Sequence, residues 1–196
     1  MIASMTYAAQ AQDGVAVGVK VGTNYSNVYD SEGEDFEADA KFGLAAGMFV
    51  SIPLGKYLGI QPEVLFSQKG FKGTGSMFGS SYDLTRTTNY IDVPLLVAIK
   101  PTSSFTLLAG PQFSFLMKEK TVFTNSNTTL EQEREFDNDN IRKNTLCFIG
   151  GFDVNLDHTV IGLRAGWDLS NNNGNGTSST PRYKNVWGQL TLGYRF

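Results

Sequence analysis

The chain has 196 residues, with 16 Lys and Arg scattered among 19 Asp and Glu for a formal net charge of -3. That spread excludes the concentrated basic face that a nucleic-acid backbone demands, the length suits one domain, and a single cysteine, Cys147, excludes an intrachain disulfide or a cysteine zinc cluster. No stretch approaches the roughly 18 apolar residues of a spanning helix, which leaves open a membrane crossed by strands of about 9 to 11 residues each.

Residues 1–14 read as an N-terminal arm, a signal-peptide remnant in which Ala9-Gln10-Ala11 fits a small-x-small cleavage site. The barrel domain then runs over 15–196. From residue 15 the sequence alternates at period two, the pattern of a strand whose two faces meet different surroundings. The first strand, 15–25, sets Val15, Val17, Val19 and Val21 on one face and Ala16, Gly18, Lys20, Gly22 and Asn24 on the other. In the second, 41–52, Phe42, Leu44, Ala46, Met48 and Val50 share a face before a turn at Pro53-Leu54-Gly55-Lys56. A third, from 58 to about 70, opposes Ile60, Val64 and Phe66 to Gln61, Glu63, Leu65, Ser67 and Lys69.

The fourth strand has the sharpest pattern. Ile91, Val93, Leu95, Val97 and Ile99 stand against Tyr90, Asp92, Pro94, Leu96, Ala98 and Lys100, and Pro62 and Pro94 are expected at bulges because proline forfeits a ladder bond. The fifth, 105–117, carries Phe105, Leu107, Ala109, Phe113 and Phe115 outward; the sixth, 146–156, carries Phe148, Phe152 and Val154. A tight Asp157-His158 turn leads to the seventh, 160–170, with Ile161, Leu163, Ala165, Trp167 and Leu169 outward. The last, 186–196, faces Val186, Leu190, Leu192, Tyr194 and Phe196 outward and Asn185, Trp187, Gln189, Thr191, Gly193 and Arg195 inward.

Connections between these strands run alternately short and long. The long ones, 26–40, 71–87, 118–143 and 171–184, fall at one end, rich in Ser, Asn, Thr, Gly and acidic residues. Short periplasmic turns, long external loops and apolar-out alternation together predict an all-β fold: an eight-stranded antiparallel up-and-down transmembrane β-barrel in a bacterial outer membrane, with four long external loops. A soluble lipocalin-like barrel binding a small ligand is the rival fold reading, but there the apolar faces would point inward.

Several segments resemble the PorT-like outer-membrane β-barrel family of the Bacteroidetes. They are Gly18-Val19-Lys20-Val21-Gly22-Thr23-Asn24-Tyr25-Ser26, Gln61-Pro62-Glu63-Val64-Leu65-Phe66-Ser67-Gln68-Lys69-Gly70, Tyr90-Ile91-Asp92-Val93-Pro94-Leu95-Leu96, Gly110-Pro111 and the closing Gly193-Tyr194-Arg195-Phe196. The resemblance implies an eight-stranded barrel of OmpA or OmpX type and an outer-membrane address, and says little about activity. The terminal Tyr194-x-Phe196 resembles the aromatic end read by the barrel-assembly machinery.

Charges expected in the lumen are Lys20, Lys41, Glu63, Lys69, Asp92, Asp153, Arg164, Asp168 and Arg195. Charges of both signs in a narrow interior must pair or hydrate, so Lys20, Glu63, Asp92, Asp153 and Arg164 are expected to form one network. If Leu156 faces Thr159 across the turn, Asp153 is opposite Gly162 and diagonal to Arg164. Two roles fit: an electrostatic plug, or a narrow ion or proton pathway. Hydrolysis by Glu63 and Asp92 would need a cleft that a side-chain-filled lumen lacks. A lipid-modifying esterase would have to use His158, the single histidine, which lies at the wrong end. No catalytic residue, cofactor or metal site is assigned. Acidic runs over Asp30, Glu32, Glu34, Asp35, Glu37 and Asp39 and over Glu131, Glu133, Glu135, Asp137 and Asp139 match no calcium loop and read as solvated surface. Phe71, Met77, Phe78 and Tyr82 suggest packing onto the rim or an adhesive tip. The expected partners are outer-membrane lipids and lipopolysaccharide, the barrel-assembly machinery and an unidentified extracellular partner at the loops of a monomer.

Overall fold

A computed structural model describes residues 14–30, 38–77, 80–125, 128–135, 144–169 and 183–196. Among them are nine strands: β1 (Ala16–Asp30), β2 (Ala38–Pro53), β3 (Leu58–Met77), β4 (Ser80–Thr102), β5 (Phe105–Asn125), β6 (Thr128–Glu135), β7 (Asn144–Leu156), β8 (Thr159–Asp168) and β9 (Tyr183–Arg195). Eight of them close a barrel in the order β1-β2-β3-β4-β5-β7-β8-β9, every pair antiparallel, with β9 returning to β1 from Gly18↔Arg195 to Asp30↔Tyr183. From Tyr25 the registers lead through Gly188, Ala165, Gly150, Ala109, Val97 and Ile60 to Ile52. One step beyond the Ala16↔Ser51 pair, Ile52 falls opposite Val15, ten positions below Tyr25 (25 − 15 = 10). Eight strands with this stagger leave an interior that side chains can fill.

The alternation read from the sequence partitions the side chains by face. Outside, Val19, Val21, Leu95, Val97, Leu163 and Leu192 are exposed, and inside, Lys20, Asn24, Glu63, Asp92, Arg164 and Gln189 are buried. This reverses the arrangement of a water-soluble protein and of the lipocalin reading, and it suits a wall bathed in hydrocarbon around a polar core. The lower end carries the short turns at 54–57, 103–104 and 157–158. At the last of these Asp157 has φ 51°, a left-handed conformation that aspartate tolerates better than most residues.

The upper end departs from expectation. Segments 71–87 and 118–143 were expected as loops, yet β3 continues to Met77, β4 begins at Ser80 and β5 reaches Asn125, where it turns into β6. β6 pairs with the upper part of β5 from Lys118↔Glu135 to Asn125↔Thr128, while β7 pairs with its lower part. Strands of 20, 23 and 21 residues are about twice what a bilayer requires, so β3 to β6 project as a sheet beyond the barrel. Beyond the bilayer no hydrocarbon bathes the outer face, which removes the need for apolar-polar alternation, and the sequence there carries no such signal. Likewise, β1 extends to Asp30 and β2 starts at Ala38, shortening the first connection.

The expected bulges at Pro62 and Pro94 are absent. Pro62↔Leu95 and Leu65↔Asp92 keep one register across the gap, and Val93↔Phe113 continues to Pro94↔Gln112. The barrel accepts the missing donors without inserting a residue. Register shifts fall instead between Ala40 and Ala45 on β2 and at Asn89/Tyr90 and Ile99/Thr102 on β4.

Candidate functional site

The lumen is the place where chemistry-bearing side chains converge, because the inward positions of all eight barrel strands meet there. In its lower half Glu63 on β3 sits between two cations. Lys20 Nζ reaches its Oε2 at 2.6 Å, Gln61 Nε2 donates to its Oε1 at 2.9 Å, and Arg164 Nη2 lies 3.9 Å from that same oxygen. Arg164 Nη1 contacts Asp153 Oδ1 at 2.7 Å and donates to the Phe152 carbonyl at 2.8 Å. The pair forms because β7 and β8 place Asp153 opposite Gly162, two residues from Arg164. Lys20 also stands 5.3 Å from the centre of the Phe49 ring. Two cations and two anions, all deeply buried, thus connect β1, β3, β7 and β8.

Asp92 is not part of this group. It pairs with Lys69 at 2.9 Å, and the Lys69 ammonium lies 3.8 Å from the Trp187 ring centre and 5.0 Å from that of Tyr90. Asp92 is opposite Leu65, and Lys69 is four positions along on the same strand, so the long lysine closes a diagonal. The five charges expected as one network therefore fall into two. Sequence reasoning put Lys69 and Trp187 on inward faces without joining them to Asp92. The missing information was the β3–β4 register, which an undefined connection could not supply.

A second polar chain lies alongside. Gln112 Nε2 donates to Ser114 Oγ at 3.0 Å, Ser114 Oγ and Cys147 Sγ are 3.4 Å apart, and Cys147 Sγ donates to Asp168 Oδ1 at 3.1 Å. Asp168 Oδ2 then accepts from the backbone N–H and the Nδ2 of Asn185 at 2.9 and 2.6 Å. Cys147 is accordingly a small buried polar residue in a strand. Leu96, Ala98, Leu108 and Ile149 pack as an apolar cluster on the β4-β5-β7 side. Paired charges, this polar chain and the apolar cluster all meet on the inner face of the wall.

Lys41 and Arg195 lie at the ends rather than in the filled middle. Lys41 Nζ bonds Thr87 Oγ1 at the upper rim, and Arg195 Nη2 donates to the Asp157 carbonyl at 2.9 Å. At the lower rim Tyr194 stacks on His158 with centroids 5.5 Å apart and meets the edge of Phe196 at 5.3 Å. The His158 Nδ1 donates to the Arg195 carbonyl at 2.8 Å, and the Phe196 N–H donates to the Val17 carbonyl at 2.9 Å. His158 is thus held in the closing turn, away from the lumen carboxylates.

Of the loop residues, Phe71 is buried and Asp39 and Glu131 are exposed. Asp30, Met77, Tyr82, Glu133 and Glu135 fall within strands, whereas Glu32, Glu34, Asp35, Glu37, Phe78, Asp137, Asp139 and the Ala9–Ala11 site lie outside the described residues. Among the described residues no cluster of three or more His, Cys, Asp or Glu could hold a metal.

A family model described as an outer membrane protein beta-barrel domain matches residues 9–174. Among solved structures the chain is similar to Ail, the attachment invasion locus protein of Yersinia pestis, at 14% identity and TM-score 0.54, over 94% of this chain and 100% of that one. A second structure of Ail, in complex with the heparin analogue sucrose octasulfate, gives 16% identity and TM-score 0.52 over 93% and 99%. At such identities the likeness concerns the fold. No curated protein matches the sequence.

Proposed function

The chain belongs to the outer membrane protein beta-barrel domain family and resides in the bacterial outer membrane, and on that premise we propose that it is a non-enzymatic barrel, plugged by its own side chains, whose projecting strands serve surface interaction. The observation that carries this reading is the ion-paired lumen: Lys20, Glu63, Arg164 and Asp153 are buried and joined across four strands. Charges so enclosed stabilise only as a set, since removing one strands the others. The His158 ring is engaged in the lower turn by the Arg195 carbonyl and the Tyr194 ring, apart from the carboxylates of the lumen cluster.

The Gln61–Gly70 and Tyr90–Leu96 segments support the narrower PorT-like kinship. The exposure of Tyr194 and Phe196 on the lipid side supports their reading as the aromatic end recognised by the barrel-assembly machinery. The sheet β3 to β6 supplies the surface for an extracellular partner, lipopolysaccharide contacts the rim, and the protein acts as a monomer.

Conductance in planar bilayers tests the plug. The wild type is expected to give no steady current. A steady ion-selective current, altered by Glu63→Gln without loss of stability, would make these charges a pathway and overturn the reading.

A further inference from the structure

The upper edge of the lipid-facing band is visible on β2, β3 and β4. Phe42, Phe66 and Ile91 are its last apolar residues, and the next outward pair, Gln68 and Asn89, is polar and bonded at 3.1 Å. Immediately above it, Lys41 Nζ bonds Thr87 Oγ1. Thr87 shares the outward face of β4 with Asn89 and Ile91 and is opposite Gly70, so no side chain of β3 stands at that level. Gly70 itself has φ 151°, and a Cβ there would lie 2.0 Å from the Arg86 carbonyl oxygen, so the gap is enforced by the backbone. Two positions further along the same face of β3 is Lys72, which is exposed.

Neither lysine forms an ion pair with a described carboxylate, although Asp39 is the register partner of Lys72. Partial burial and then the charge of Lys72 hold the Lys41 ammonium below the ordinary lysine range. Two cations that repel one another beside a hydroxyl, over a notch in the wall, are relieved by an anion. The exposed Phe42 and Phe66 rings beneath them offer apolar contact for chains attached to that anion.

We propose that Lys41, Lys72 and Thr87 form a phosphate-binding site on the outer face of the wall, and that it takes a phosphate of lipopolysaccharide in the outer leaflet. Lysine ammonium is a point donor suited to phosphate, and the threonine hydroxyl donates a third hydrogen bond. The inference rests on reading the upper end as extracellular.

The test uses the full chain refolded in nanodiscs of phosphatidylcholine doped with bisphosphorylated lipid A, then transferred to detergent, with retained lipid A counted by native mass spectrometry. The wild type should keep lipid A, and Lys41→Gln and Lys72→Gln should each lower retention about fivefold, the effect of one surface cation on an anionic lipid. Lys41→Arg with Lys72→Arg should keep it, and Lys56→Gln at the opposite rim should change nothing. Heat-modifiable gel mobility verifies that each variant is folded. Equal retention by wild type and the double glutamine variant, or equal retention of dephosphorylated lipid A, would overturn the site. Displacement of lipid A by millimolar inorganic phosphate alone would also overturn it as a lipid site. Thiol labelling of Lys120→Cys on intact cells separates the premise: labelling that requires permeabilisation would remove the extracellular reading itself, whereas surface labelling with unchanged retention would remove the lysine site alone.

Discussion

Arg164 and Asp153 meet at 2.7 Å beside Gly162, a residue with no side chain to separate them. A Cβ at Gly162 would lie 2.7 Å from Asp153 Oδ1 and 2.6 Å from Thr191 Oγ1. The glycine therefore makes room for the ion pair, and Gly162→Ala must push the carboxylate or the hydroxyl aside. Overpacking of this kind costs about 1 to 3 kcal/mol. Urea titration of the refolded barrel in lipid vesicles should show that loss. Gly55→Ala, in a turn with open space around it, should stay within about 0.5 kcal/mol. An unchanged midpoint for Gly162→Ala would mean that the pair is not as close as the geometry gives.

Truncating Arg164 to Ala removes the only described cation within reach of Asp153 and one of two beside Glu63. Breaking a buried pair typically costs about 3 to 5 kcal/mol, an amount that water entering the lumen would reduce. Lys120 pairs with Glu131 on the projecting sheet, where both are substantially exposed, and Lys120→Ala should cost about 0 to 1 kcal/mol. The comparison is read by the same urea titration. Similar losses for the two variants would contradict an enclosed, poorly hydrated lumen.

The barrel wall was legible in the sequence because hydrocarbon and lumen impose opposite demands on successive residues. Ile91 to Ile99 and Val186 to Phe196 record those demands at every step. Above the membrane the demand disappears, so β6 and the upper parts of β3, β4 and β5 left no periodic signature. The Asp153–Arg164 diagonal was legible because a two-residue turn fixes the β7–β8 register. The sequence marks no such turn between β3 and β4, whose register decides that Asp92 pairs with Lys69 rather than joining Glu63. Pro62 and Pro94 misled for a related reason: proline removes a donor, but a wall with a continuous register on both sides can lose one bond without shifting.

The two tryptophans report opposite faces of the wall. Trp167 is 40% exposed on the lipid side and packs on Phe148 with centroids 5.2 Å apart, whereas Trp187 is 2% exposed beneath the Lys69 ammonium. Brominated lipids should quench emission in Trp187→Phe, which retains Trp167, and leave it nearly unquenched in Trp167→Phe, which retains Trp187. Equal quenching of both would place Trp187 outside the lumen and dismantle the upper charge cluster with it.

The inside-out wall itself makes the most demanding prediction, because it assigns opposite tolerances to neighbouring residues. Leu95 lies midway between Ile91 and Ile99 on the outer face of β4, and Leu190 lies midway between Val186 and Tyr194 on β9; both are about half exposed. Near the midplane an arginine on the lipid side costs about 2 to 4 kcal/mol, falling toward 0 to 1 at the interfaces. Leu95→Arg and Leu190→Arg should therefore lower stability in vesicles by that amount, and Leu58→Arg, at the lower edge, by much less. Thr191, next to Leu190, points inward and is buried among polar groups, its hydroxyl directed at the Gly162 carbonyl. Thr191→Ser keeps the hydroxyl and removes only a methyl, so it should be milder than either arginine. The depth dependence separates lipid exposure from simple overpacking, since a charge forced into a packed protein core would be as costly at the edge as at the centre. If the arginine penalty did not vary with depth, or if Leu190→Arg and Thr191→Ser were tolerated alike, the outer face would not be in contact with hydrocarbon and the barrel's orientation of faces would have to be reversed.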